Sequence, residues 1–116
     1  MSDRRAAYLA IVTGAAQGYW AKRLPTMPQF DTSHVELGRF AWLGGWHPYQ
    51  VPSGVEYYRW LVYWSGIHPE VARLRVECWG DRWHWRMDSP SCGSAEAARS
   101  AAEEWAERFY RRWEAP

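Results

Sequence analysis

The sequence predicts an α+β fold: a small single domain in which a three-stranded antiparallel sheet is packed by N-terminal and C-terminal helices. Three observations predict it. Residues 71–88 alternate with period two around a Gly-Asp turn, residues 95–113 repeat apolar side chains at three- and four-residue spacing, and the first two dozen residues read as another helix. The first two observations join into one hairpin–helix unit over 71–113.

The hairpin runs from Val71 to Trp79, turns at Gly80-Asp81, and returns from Arg82 to Asp88. A two-residue loop with glycine first suits a type II′ turn, whose twist matches paired strands. That turn places Cys78 opposite Trp83, Val76 opposite Trp85 and Leu74 opposite Met87, all on one face. The other face collects Arg73, Arg75, Glu77 and Trp79 with Arg82, His84, Arg86 and Asp88.

Ser94 follows the break at Ser89-Pro90 and is the expected N-cap of the last helix. Ala98, Ala102, Trp105, Phe109 and Trp113 then form one apolar stripe. Ala98 and Ala102 allow close approach; the aromatics fill space against the sheet. Glu104 with Arg108 and Glu107 with Arg111 are acid-before-base pairs, worth about 0.2–0.5 kcal/mol each. Glu103 and Glu104 read as surface charges.

At the other end, Ser2 or Asp3 caps a helix running to Lys22 or Arg23 and ended by Pro25. Gly14 and Gly18 each cost about 1 kcal/mol inside a helix. Close packing on the Ala-rich start of the last helix would offset that; a break near Gly14 is the alternative. Residues 24–54 read as a loop-rich insertion in a single domain spanning 1–116. Within it, Ser33 and Glu36 form a capping box for a short helix from His34 to Leu43, stopped by Gly44-Gly45. Trp46 to Gly54 reads as a loop, and Glu56 to Trp64 as the first strand of the sheet.

Composition narrows the function. The chain has 116 residues and a formal net charge of +1, so its total charge does not mark a polyanion binder. Ten Trp, seven Tyr and three Phe are too many for one core to hide, so some face solvent. Lys22 is the single lysine among 14 basic residues; the rest are arginine, which stacks on aromatic rings and grips carboxylate or phosphate. Cys78 and Cys92 make no disulfide framework, which favours free thiols and a cytoplasmic protein and leaves a single clip between them as the alternative for an exported one. The apolar run from Ala6 to Ala16 is too short to span a bilayer, so no membrane partner is expected.

Two resemblances are local. Thr13-Gly14 with Gly18 resembles the TGxxxGxG opening of short-chain dehydrogenases, which implies a nucleotide-binding turn. Trp20 stands where that pattern has its last glycine, no YxxxK pair follows, and a small-residue helix face accounts for the same residues. The order helix, three strands, helix, with Gly93 to Arg99 opening the last helix, resembles double-stranded-RNA-binding domains. In that family lysines meet phosphate at positions held here by Ala95 and Glu96.

His34, His47, His68 and His84 are scattered, without metal-ligand spacing, and no nucleophile is paired with a base. Neither an enzyme nor a cofactor site is expected. The leading expectation is a protein-interaction module that binds a host protein, as small inhibitors and adaptors of phage and mobile elements do. Its expected contact residues are Trp42, Trp46, His47, Tyr49 and Tyr58, because Trp, Tyr and Arg dominate interface hot spots. The alternative is nucleic-acid binding through Arg73, Arg75, Trp79, Arg82, His84 and Arg86 on the hairpin. A third expectation is a small-ligand or carbohydrate site built from exposed indoles.

Overall fold

The computed structural model describes residues 2–15, 32–86 and 89–114. In order the elements are α1 (Ser2–Ala15), β1 (Ala41–Trp42), β2 (His47–Val51), β3 (Gly54–Trp64), β4 (Pro69–Trp79), β5 (Arg82–His84) and α2 (Ala95–Arg111). The α+β class holds, with one antiparallel sheet and two helices among the described residues. The sheet has five strands instead of the expected three.

β3 organises it. Its eleven residues, rich in β-branched and aromatic side chains, pair with β4 from Tyr57↔Val76 to Trp64↔Pro69. Its other edge is shared, His47–Val51 pairing with Gly54–Tyr58 and Ala41–Trp42 with Leu61–Val62. Ser65 closes the β3–β4 turn, its N–H and its hydroxyl both donating to the His68 carbonyl, at 3.1 and 2.9 Å.

Alternation along β3 then divides the core. Tyr58, Trp60 and Val62 pack with Tyr8 and Val12 of α1, while Leu61 packs with Ala98, Ala102 and Ala106 of α2. The two helices therefore lie on opposite faces of the sheet. This corrects the expectation that the alanines of the last helix would receive the first helix; they receive Phe40, Leu61, Leu74 and Val76. The buried stripe also differs, continuing to Ala106 while Phe109 and Trp113 stay half-buried. A stripe of alanines lets the backbone of α2 lie close to the strands, and the large rings of Trp105 and Tyr110 flank it.

The hairpin register is the expected one, with Cys78↔Trp83 and Trp79↔Arg82. Gly80 has φ +66 and no non-glycine residue has positive φ among the described residues, which fits a II′ turn and excludes I′. β5 is shorter than expected. It ends at His84, and Trp85-Arg86 enter a bend where the Ser89 hydroxyl accepts the Arg86 N–H at 3.2 Å. Val76 and Trp85 therefore share a cluster without a strand pairing. Ser94 caps α2, its Oγ accepting the Ala97 N–H at 3.1 Å.

Three further expectations fail. The helix from His34 to Leu43 is replaced by two single turns, closed by Val35 N–H to Thr32 O and Arg39 N–H to Glu36 O. Gly38 at φ +74 breaks it, and β1 then extends to pair with β3. The stretch from Trp46 to Gly54 holds strand β2 and a tight turn, not a loop. Pro48 is tolerated there because an edge strand has outward N–H positions with no ladder bond to lose. With five strands between the helices, the layout resembling an RNA-binding domain is not kept. The continuation of the first helix to Lys22 or Arg23, the Gly18 contact, the connector through Asp31, Met87 and Asp88 lie outside the described residues.

Candidate functional site

The alternating face of β4 presents Arg73, Arg75, Glu77 and Trp79 together, as its period-two pattern requires. Because β5 pairs only with the last three residues of β4, a cleft of about 570 Å³ opens beside the remaining edge. Arg73, Arg75, Glu77, Trp79, His84 and Arg86 line it, with Trp85, Trp105 and Tyr110 on the side of α2.

Each cation has a local setting. Arg73 lies over Tyr58 at 4.6 Å, and Arg86 lies over Trp105 at 4.6 Å. Arg75 pairs with Glu77 at 3.2 Å, where half-exposure keeps the contribution small. Trp79 stacks on His84, with centroids 4.5 Å apart and planes inclined by 29°, and remains 49% exposed. Burial pushes the Tyr110 hydroxyl above its ordinary pKa, and the neighbouring Tyr63 adds to this while Arg86 opposes it. Among the described residues the lining of the cleft thus holds three guanidinium groups and one carboxylate around aromatic rings.

Five of the six hairpin residues expected from sequence meet in this cleft. Arg82 does not, because its Nε donates to Ser91 Oγ at 3.1 Å and its Nη2 to the Ser91 carbonyl at 3.0 Å.

The expected aromatic patch does not form one surface, because the sheet separates its members. Trp42 and Trp46 pack on the side of α2, while Tyr49 and Tyr58 pack on the side of α1. The Trp42 indole donates to Glu107 at 3.0 Å, and Trp46 Nε1 is buried without a hydrogen-bond partner among the described residues. His47 meets Trp60 edge-on at 5.9 Å, and burial lowers its pKa. Tyr49 meets Tyr58 edge-on at 5.1 Å, and Tyr58 donates to Glu56. These rings build the core more than they present a surface.

A second surface was not expected. Tyr8 and Trp64, with parallel rings 6.4 Å apart, line an open groove of about 400 Å³. Ile11, Leu37 and Ile67 stand around it with Arg4 and His68. Ile67, at 81% exposure, projects from the β3–β4 turn. An isoleucine between Gly66 and His68 in a tight turn was the available signal. Leu37 was masked by the mistaken helix.

No family model matches the chain, and no curated protein or solved structure matches it. Among the described residues there is no group of three metal-ligating side chains, and no helix is long and apolar enough to cross a membrane.

Proposed function

We propose that the chain is a non-enzymatic protein-interaction module, of the inhibitor or adaptor kind, that docks a partner protein in the groove between α1 and the β3–β4 turn. One observation carries this reading. Of the four exposed large apolar side chains among the described residues, Ile11, Leu37 and Ile67 surround this single groove; Trp79 is the fourth. Scattered apolar residues are ordinary on a protein surface, whereas clustered ones around a concave floor mark association sites. The rim adds the cation of Arg4, so the complementary partner presents an apolar helix or loop flanked by a carboxylate. This moves the contact surface away from Trp42, Trp46, His47, Tyr49 and Tyr58, whose rings are committed to the fold.

The test is capture from host-cell lysate after nuclease treatment, repeated with groove variants. A stoichiometric protein partner should be retained by wild type and by Trp79→Ala. Ile67→Arg with Leu37→Arg should weaken it by about 30-fold or more, the loss expected at a hot spot. Both positions are exposed, so the variants should keep the wild-type circular dichroism. Undiminished capture by the double variant would overturn the proposal.

A further inference from the structure

We infer that the cleft beside the hairpin is a second site, one that binds single-stranded nucleic acid. Phosphates meet Arg73, Arg75 and Arg86, and a base stacks on Trp79. The inference does not depend on the groove. Along β4 the groove ends at Pro69 and the cleft runs from Arg73 to Trp79, about 13 to 33 Å further on at 3.3 Å per residue, and no residue lines both.

Charge supplies the first argument. Among the described residues lining the cleft, three are arginine and one, Glu77, is an acid, 3.2 Å from Arg75. The chain's net charge of +1 does not reveal this grouping of arginines, because acids such as Glu103, Glu104 and Glu107 lie on α2. Arginine is the residue suited to forked contact with phosphate.

Ring geometry supplies the second. Trp79 is held flat on His84 while about half its surface stays in solvent (49%). A fixed, exposed indole beside cations is a stacking platform for an unpaired base. Bases of a duplex are already stacked inside it and do not reach such a platform. An acidic peptide would satisfy the arginines and leave the indole unused, so a nucleotide chain matches both halves of the cleft.

Direct binding of a labelled twelve-nucleotide single strand, as DNA and as RNA, tests this by fluorescence anisotropy. With three phosphate contacts, affinity should fall about 20-fold between 50 and 200 mM salt. Trp79→Ala should weaken binding roughly 5- to 150-fold, the range measured for base stacking on aromatics. Arg75→Ala should lower the slope of log K against log salt by about 0.7, and Arg75→Lys should restore much of it. Arg82→Ala, outside the cleft, should bind as wild type. No binding at 50 mM salt, or binding that ignores salt, would overturn the inference. So would equal affinity for duplex, equal affinity for a free nucleoside monophosphate, or displacement by poly-glutamate as readily as by unlabelled strand.

Discussion

Arg59 lies over the ring of Trp42, its guanidinium carbon 4.0 Å from the indole centroid. The same guanidinium donates through Nε to the Gly44 carbonyl at 2.8 Å and pairs with Glu103 of α2. One turn further along the helix, Glu107 accepts the Trp42 indole N–H. Two acids on α2 thus hold the strand of Trp42 against the strand of Arg59. This replaces two sequence expectations: Glu103 is not a free surface charge, and Glu107 does not pair with Arg111. Arg111 instead lies 3.7 Å from Glu114 and rests on Phe40.

Arg59→Ala should therefore cost more than an ordinary surface substitution. It removes a charge-assisted bond from a side chain only 16% exposed and leaves the Gly44 carbonyl and Glu103 to find other partners. A loss of about 1.5–3 kcal/mol is expected by chemical denaturation, the range for hydrogen bonds to charged groups. Glu103→Gln keeps an acceptor oxygen at the same place and should cost less. A neutral result for Arg59→Ala would show that solvent replaces the whole arrangement.

Ala102 is fully buried in the cluster of Leu61 and Leu74, so α2 sits on the sheet at alanine distance. Ala102→Leu should destabilise by about 1–3 kcal/mol through overpacking. Ala97→Leu, on the exposed side of the same helix, should stay within about 0.5 kcal/mol of wild type. Equal midpoints for the two variants would place the contact face elsewhere on the helix.

What could be read from sequence was local. Gly80-Asp81 set the hairpin register because a two-residue turn leaves no freedom in pairing, and Ser94 marked a helix start because its hydroxyl answers an N–H three residues on. The hairpin residues of the cleft were legible for the same reason, since period-two alternation puts Arg73, Arg75 and Trp79 on one face. The contributions of Trp105 and Tyr110 come from a helix packed across the sheet, and no local pattern announces that. β1 and β2 escaped notice because two- and five-residue strands gain their stability from the β3 edge, not from their own composition. Gly38, a poor helix former in the middle of His34–Leu43, takes a left-handed φ that turns the chain there. Once β1 and β2 both pair with β3, their registers send Trp42 and Tyr49 to opposite sides of the sheet, and a patch adjacent in sequence ceases to be a patch in space.

The cysteines follow from the same register. Cys78 pairs with Trp83, and Cys92 bridges the other side of Trp83 through reciprocal backbone bonds of 2.9 and 2.8 Å. Two strand spacings separate their Cα atoms by roughly 10 Å, beyond the roughly 7 Å that a disulfide spans. Both thiols are free, as expected from sequence. Thiol titration of unreduced protein in denaturant should find both reactive. Recovery of an intramolecular Cys78–Cys92 disulfide from native protein would contradict the arrangement of β4, β5 and the Cys92 segment.

His47 gives the fold a pH dependence whose sign can be stated. Its ring lies against the edge of the fully buried Trp60, and burial holds its pKa below the ordinary 6.5. Burial disfavours the imidazolium, so the folded chain keeps the neutral ring to lower pH than the unfolded chain does. As pH falls below about 6.5, the unfolded state takes up a proton that the folded state does not yet bind. This contribution to stability is therefore complete above that value, declines between it and the lower folded pKa, and is constant again below both. Denaturation midpoints at pH 7.5, 6.5 and 5.5 should fall more steeply for wild type than for His47→Phe, which keeps a ring against Trp60 without a titrating group. Parallel curves for the two proteins would mean that the imidazole is as well solvated folded as unfolded, and that the His47–Trp60 contact is looser than the packing shows.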